Sequence, residues 1–220
     1  MASRLATALV GDIAGSRELA SEDRARLQGR LDAVLQRLNR AAHGGLLSRF
    51  TLTLGDEFQA LLCRPAILPD VLWRLRADLQ DVEWWVGVGC GALDTELRPT
   101  AVGMDGPVFH RARGAVEEAK SSGRRGGVFL GFDGDETVLD GLARAAEALR
   151  AELTASQIEA VELVRNGTRS QTEAASQLGV SRQAVSKRLK AARWDALQEV
   201  ERAMASLLSR YDTCAEWEDR

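Results

Sequence analysis

The chain has 220 residues, of which 45% are hydrophobic and 28% charged, and its formal net charge is −3. This composition is that of an ordinary globular protein and excludes a collagenous, low-complexity or wholly disordered chain. The length exceeds that of one usual domain of roughly 100 to 150 residues, so we expect a body with a smaller second domain. The longest apolar run, Trp84 to Leu93, is about half the roughly 20 residues that cross a bilayer, which predicts a cytoplasmic protein without a membrane partner.

The cysteines predict no covalent or metal crosslink. There are three of them, Cys63, Cys90 and Cys214. They are odd in number and far apart along the chain, and none lies in a C-x-x-C pair or at zinc-ligand spacing from a histidine. We therefore expect neither a disulfide nor a structural zinc.

Strands and helices alternate in the predicted N-terminal body. The elements are a strand over Leu5 to Val10, a helix over Leu19 to Leu38, strands over Phe50 to Leu54 and Glu57 to Leu62, a helix around Leu68 to Val82 and a strand over Trp84 to Gly91. The order βαββαβ is that of a ferredoxin-like or palm domain, and a further helix and strand follow up to Phe132. The expected fold class is α+β.

Acidic residues follow the first strand and occupy the turn between the second and third. The first crossover makes strands one and two parallel with strand three beside strand one, so Asp12 comes close to Asp56 and Glu57. Carboxylates brought together repel one another unless a cation lies between them, and Mg²⁺ typically takes one or two protein carboxylates plus substrate phosphates. This pattern predicts a Mg²⁺ and nucleotide site with all three as metal ligands. The alternative is a polar hairpin tip with Asp12 capping a turn.

The turn after the first strand also offers backbone amides to a phosphate at the start of the next helix. The residues concerned are Gly11, Gly15 and Ser16.

These segments resemble nucleotide cyclases. Residues 11–16, Gly-Asp-Ile-Ala-Gly-Ser, are similar to the first strand end of class III cyclases, and Gly-Asp-Glu-Phe at 55–58 resembles the hairpin of the GGDEF diguanylate cyclases. The resemblance implies metal-binding roles for Asp12 and Asp56. It also implies nucleotide contact by Arg113, which stands at the arginine position of a class III helix. Phe109 stands where that helix has a transition-state asparagine, which favours nucleotide binding without turnover.

A closer resemblance covers about residues 5 to 193. The motifs at 11–17, 53–59 and 103–113, taken together, are similar to those of the bacterial SatD family. That resemblance implies the architecture and carries no activity with it.

A second domain is predicted to begin near residue 150. The helix pattern of Glu136 to Arg150 is followed at once by Thr154-x-x-Gln157, a capping box that predicts a new helix near Ala155. We therefore expect a body over residues 1–150 and a helical domain over 151–220.

The helical domain carries the pattern of a helix-turn-helix. Ser170-x-x-Glu173 is a second capping box, Gly179 supplies a turn, and Ser181 caps a helix to about Arg193 that holds five basic residues and no acid. Residues 153–193 resemble the DNA-binding units of sigma factors, which implies an all-α module that binds double-stranded DNA; the alternative is a protein-interaction module. The predicted DNA-binding residues are Arg169, Ser170, Ser181, Arg182, Gln183, Ser186, Lys187, Lys190 and Arg193.

From Trp194 to Tyr211, apolar residues at helical spacing predict an amphipathic helix. Its apolar face must be covered either by the body of the same chain or by a second copy, and we favour the second copy, which makes a homodimer. The end, from Asp212 to Arg220, is predicted to be a polar tail.

The favoured function is a DNA-binding transcription regulator whose cyclase-like body senses a nucleotide with Mg²⁺ and does not turn it over. The alternative is an active nucleotidyl cyclase, or a related phosphoryl-transfer enzyme, with a DNA-tethering module.

Overall fold

The computed structural model describes residues 4–15, 18–53, 55–167 and 169–218. The five strands are β1 (Leu5–Ile13), β2 (Leu46–Leu52), β3 (Glu57–Leu62), β4 (Trp84–Ala92) and β5 (Val128–Leu130). The α-helices are α1 (Ser21–Ala41), α2 (Leu68–Asp78), α3 (Pro107–Ser122), α4 (Glu136–Ala151), α5 (Ala155–Val164), α6 (Gln171–Leu178), α7 (Arg182–Ala191) and α8 (Trp194–Leu208). The predicted α+β class is confirmed.

The chain divides into two compact units. Unit 1 contains Met1–Arg144 together with Met204–Arg220, and unit 2 is Ala145–Ala203. The expected boundary near residue 150 lies close to this border. The expected second domain, however, included residues 204–220, which group with the sheet.

A single five-stranded sheet organises unit 1, in the order β2-β3-β1-β4-β5. The central strand β1 pairs antiparallel with β3 on one side and with β4 on the other, and β5 runs parallel to β4. Because β3 is antiparallel to both β1 and β2, strands β1 and β2 run in the same direction, as the predicted crossover requires.

Alternating side chains of β1 face two different helical layers. Leu9 and Ile13 belong to the large core with α1 and α2, whereas Ala8 and Val10 face α3. The residues on the α3 side are small, which lets that helix lie close to the sheet.

Glycines of β4 make this close approach possible. A Cβ placed on Gly89 would lie 2.4 Å from the backbone nitrogen of Ala112 and 2.5 Å from the carbonyl oxygen of Val108. A Cβ on Gly87 would lie 2.2 Å from the Ala112 carbonyl oxygen. The α3 backbone therefore rests directly on the backbone of β4, and any side chain at these positions would push the helix away.

Unit 2 contains α5, α6 and α7, with the predicted caps. Gln157 Oε1 accepts from the Thr154 amide at 2.8 Å, and the Ser170 hydroxyl accepts from the Glu173 amide at 3.2 Å. Gly179 ends α6 with φ 63°, and the Ser181 hydroxyl accepts from the Ala184 amide at 3.1 Å. The capping predictions are confirmed. The presence of these helices does not by itself identify a helix-turn-helix domain, which stays a prediction.

A buried ionic cluster lies inside unit 2. Glu201 receives Arg150 Nη2 on Oε1 and Arg165 Nη1 on Oε2, both at 2.6 Å, and its side chain is 7% exposed. The Arg165 guanidinium also lies 5.7 Å from the centre of the Trp194 ring. One carboxylate thus pairs with two buried guanidinium groups from separate segments of the chain.

The end of α8 and the residues after it pack on the sheet of unit 1. Met204 and Leu208 are fully buried in the core with α1 and α2. The same chain therefore covers this part of the amphipathic helix, which was the less favoured alternative.

The predicted polar tail instead folds back, and Cys214 forms a disulfide with Cys63. The prediction of no disulfide is wrong because 151 residues of sequence separation become 4.6 Å between Cα atoms once the tail returns to the end of β3.

Among the residues with described positions, no helix is long and apolar enough to cross a membrane.

Gly89→Ala should lower the free energy of unfolding by about 3 kcal/mol, because the added methyl group overlaps backbone atoms that cannot rotate away. Gly141→Ala is the matched control: it lies in α4 with no heavy atom within 4 Å of the added Cβ, and it should stabilise by about 0.5–1 kcal/mol. Urea unfolding of both variants measures the two effects. Equal effects would show that α3 does not rest on β4.

Glu201→Gln should destabilise unit 2 by about 3–5 kcal/mol, because two buried guanidinium groups lose the carboxylate charge that they share. Glu199→Gln, an exposed position on the same helix, should change stability by less than about 0.5 kcal/mol. Denaturant unfolding followed by circular dichroism compares them. If Glu201→Gln left the free energy of unfolding unchanged, the ionic cluster would not be a stabilising feature of unit 2.

Candidate functional site

The end of β1 brings together carboxylates from two strands. Asp12 is the register partner of Glu57 on β3 and of Trp85 on β4. Asp12 and Glu57 lie on the sheet face that α3 covers, since the alternate residues Ile13 and Phe58 belong to the opposite core. The structure therefore places two of the three predicted metal ligands directly opposite each other.

A lysine from α3 contacts Asp12. Lys120 Nζ lies 2.8 Å from Asp12 Oδ2 and 3.0 Å from Glu117 Oε1. Burial lowers the pKa of Lys120, but the hydrogen bonds to Asp12 and Glu117 outweigh it, so the pKa is raised above its ordinary value. The Asp12 side chain remains 21% exposed, which leaves it open to solvent beside its ammonium partner.

The other two predicted metal ligands have their own surroundings. Glu57 Oε1 accepts from the Thr53 hydroxyl at 2.9 Å. Asp56 lies in the turn after Gly55, whose φ of 70° requires glycine. Within the part of the chain that the structure describes, no group of three or more His, Cys, Asp or Glu side chains is arranged to hold a metal ion. A metal site made of Asp12, Asp56 and Glu57 together stays a prediction.

The predicted phosphate-binding residues are only partly brought together. Gly15 is exposed and has φ 67°, a conformation that favours glycine in the turn after β1. Gly11 is buried, and a Cβ there would lie 2.1 Å from Cζ of Phe58, so packing accounts for its glycine. Ser16 lies outside the described residues. The helix α1 begins at Ser21, which is well beyond the predicted phosphate turn.

Arg113 lies on the exposed side of α3, away from the carboxylates. It precedes Lys120 by seven residues, which places it about 10 Å farther along the helix axis. Phe109, at the position of the cyclase asparagine, is fully buried in the core between α3 and the sheet. Neither side chain reaches Asp12 within this chain.

Sequence reasoning missed Lys120 at this end of the sheet. Trp85 is the register partner of Asp12 on β4, and the guanidinium of Arg125 lies 5.6 Å from the centre of its ring and donates to Glu83. One signal was available, because Lys120 is the only lysine before residue 187 in a chain that otherwise uses arginine.

An open pocket of about 360 Å³ lies at the end of β1, lined by Ile13 and Ala14 together with the first turns of α1. Two of its charged residues pair with each other: Arg30 donates to both carboxylate oxygens of Asp81. None of the predicted site residues lines it.

The predicted DNA-binding residues lie on the surface of unit 2. Ser170 and Ser181 act as helix caps, and Arg188 approaches Glu159 at 3.9 Å. The exposed positions are Arg169, Arg182, Gln183, Ser186, Lys187, Lys190 and Arg193.

Comparison with known proteins identifies the family. The profile of the SatD family matches residues 6–208. The chain belongs to the SatD family. No curated protein matches it.

Two solved structures are similar to the SatD chain at low identity. One is a bacterial light-regulated adenylyl cyclase, with a TM-score of 0.46 and 15% identity over 57% of this chain and 75% of that chain. The other is the guanylyl cyclase Cya2, with a TM-score of 0.41 and 18% identity over 54% of this chain and 73% of that chain.

The favoured function is corrected by these findings. The SatD match includes the segment that was interpreted as an appended DNA-binding module, and neither it nor the two cyclase structures shows DNA binding or transcription regulation. The prediction of a DNA-binding transcription regulator is wrong. Helix caps, a turn glycine and apolar spacing determine how three helices pack. They do not determine what the exposed basic face of α7 binds. The homodimer stays a prediction.

Asp12→Asn should lower the pKa of Lys120. Burial, which lowers this pKa, would then be opposed by the anionic side chain of Glu117 without that of Asp12. The change is measured by NMR titration of protein labelled at the lysine Cε, in metal-free buffer. Asp32→Asn, an exposed acid on α1, is the control and should leave the Lys120 titration in place. An unchanged pKa in Asp12→Asn would contradict the ion pair.

Proposed function

We propose that this SatD protein binds a nucleoside triphosphate with a divalent cation at the C-terminal end of β1 and carries out phosphoryl transfer of the nucleotidyl-cyclase class. One observation carries the proposal: Asp12 faces Glu57 across the β1–β3 ladder and is already paired with a cation, the ammonium of Lys120.

The residues at this edge suit a cation that arrives with its substrate. Mg²⁺ usually takes one or two protein carboxylates and completes its coordination with water and phosphate oxygens. Asp12 is partly exposed, and Glu57 lies across the ladder as a second carboxylate, with Asp56 in the adjoining turn. Two carboxylates at an open edge match that requirement better than they match a closed cage of protein ligands.

Lys120 suits the anionic half of such a ligand. Its ammonium has three donors on a flexible stem and is shared between Asp12 and Glu117. A divalent cation bound to Asp12 would displace the ammonium, which would then be free to donate to a phosphate oxygen. Arg125, beside Trp85, supplies a second cation near the same end of the sheet.

The chemistry asks little covalent work of the protein. Phosphoryl transfer depends mainly on positioning the reacting groups and on stabilising the charge that develops on the transferred group. When bound, the divalent cation would supply part of that stabilisation. The chain's own contribution would be to hold the phosphates with Lys120 and to orient the cation through Asp12. The buried Phe109 takes no part, so the arginine–asparagine pair of the class III cyclases is not reproduced in this chain.

The decisive experiment incubates the purified protein with each ribonucleoside triphosphate and Mg²⁺ or Mn²⁺. Calorimetry measures binding, and chromatography measures the nucleotide products. We expect saturable binding and product formation with at least one triphosphate. Asp12→Asn should reduce affinity by at least about tenfold, the usual effect of losing a charged contact, while Asp32→Asn should match the wild type. A wild-type protein that neither binds nor converts any triphosphate would refute the proposal.

Lys120→Met should have opposite effects on the two ligands. Nucleotide affinity should fall by about 10- to 100-fold, since a charge-assisted hydrogen bond contributes about 1.5–3 kcal/mol. Mn²⁺ measured alone should bind more tightly, because the ammonium no longer competes for Asp12. Lys187→Met, an exposed lysine of α7, should change neither. If Lys120→Met bound nucleotide like the wild type, the phosphate role of Lys120 would be excluded.

A further inference from the structure

The C-terminal strap, residues 212–218, is fastened to unit 1 by the disulfide between Cys63 and Cys214. Cys63 directly follows β3, and the Thr213 amide donates to its carbonyl oxygen at 2.8 Å. Farther along, Trp217 Nε1 donates to the Leu5 carbonyl oxygen at 3.0 Å. The strap therefore joins the last residues of the chain to the end of one strand and the start of another.

Two further contacts of the strap lie at the surface. The Arg64–Asp212 ion pair measures 3.2 Å between side chains that are 48% and 35% exposed. The Arg4 guanidinium lies 5.5 Å from the centre of the Trp217 ring. Exposed ion pairs contribute little to stability because water screens them and the long side chains lose freedom. Apart from the disulfide, the strap is held by its hydrogen bonds to Cys63 and Leu5, by the packing of Trp217 against the core beside α3 and by these surface contacts.

The residues immediately before the strap have a stronger attachment. Met204 and Leu208 are fully buried in the core. Tyr211 donates to the Phe132 carbonyl oxygen and to Asp135, and Arg210 Nη1 lies 2.9 Å from Asp135 Oδ2. These contacts do not depend on the disulfide, so they can keep α8 in place when the strap is free.

From this division we infer that the Cys63–Cys214 disulfide is a redox latch that holds or releases the C-terminal strap while the sheet stays folded. This inference is independent of the proposed nucleotide chemistry.

The switching step is a thiol–disulfide exchange with a dithiol reductant. One thiolate of the reductant attacks Sγ of Cys214, which is the less buried partner, the S–S bond breaks, and Cys63 leaves as a thiolate that takes up a proton. The second thiol of the reductant then attacks the mixed disulfide and releases Cys214. The reductant ends as its own disulfide, and two electrons have passed to the cystine.

The latch is tested on the full chain by thiol labelling. Without reductant, alkylation of the native protein should leave Cys63 and Cys214 unmodified, and after treatment with dithiothreitol both should be modified. Cys90 is a buried thiol whose pKa is raised by burial, so it should remain unmodified in both states. Labelling of Cys63 and Cys214 before reduction would show that the bond does not form and would overturn the inference.

Hydrogen exchange tests whether release is local. On reduction, the amides of the strap should exchange at least about tenfold faster, while those of β1, β3 and β4 should change by less than about twofold. A strap whose exchange is unchanged would overturn the latch, and so would a sheet that loses protection together with the strap, because the disulfide would then be a plain structural crosslink.

Two variants complete the test. The double variant Cys63→Ser with Cys214→Ser should show the reduced exchange pattern with or without dithiothreitol. Cys90→Ser should respond to the reductant like the wild type. A double variant that still responds to dithiothreitol would place the redox-sensitive group elsewhere and would refute the latch.

Discussion

The close approach of α3 to β4 decides what reaches the end of β1. Because Gly87 and Gly89 lack side chains, the helix backbone lies directly on the strand backbone. The helix then runs along the sheet until its last turn comes level with Asp12, where Lys120 makes its ion pair. A bulkier strand would hold the helix several ångströms away, beyond the length of that contact. The candidate site is therefore a product of backbone packing as much as of its charged residues.

This geometry also explains why the carboxylates at the C-terminal end of β1 can lie opposite each other. Two acidic side chains that face each other across a β-ladder destabilise a sheet unless a cation lies near them. Lys120 provides a cation from within the chain, because its ammonium pairs with Asp12. Under the proposed function, a bound cation would use the same carboxylate, Asp12, that pairs with Lys120 in the structure.

Local and topological patterns made much of the fold predictable from the sequence. The chain order of strands, the helix caps at Ser170 and Ser181, and the meeting of Asp12 with Glu57 follow from residue spacing and from the direction of one crossover. Lys120 did not, because its contact depends on the length and placement of α3, which sequence periodicity leaves open. The disulfide of Cys63 was missed for the same kind of reason: separation along the chain says nothing about a tail that returns. The exposed basic residues of α7 led to the opposite error, a function predicted where none is shown. A helix face that is only solvated can have the same composition as one that binds DNA.

The split of unit 1 around unit 2 has a consequence for biosynthesis. Met204 and Leu208 complete the core beneath the sheet, yet they follow Arg144 only after the whole of Ala145–Ala203. Because Met204 and Leu208 follow Ala145–Ala203 in the chain, this part of the core of unit 1 can be completed only after all of unit 2 has been synthesised. Unit 2, once folded, shortens the effective loop between the two parts of unit 1 and so reduces the entropy lost when they meet. The helical insertion acts in this sense as a folding aid for the sheet into which it is inserted.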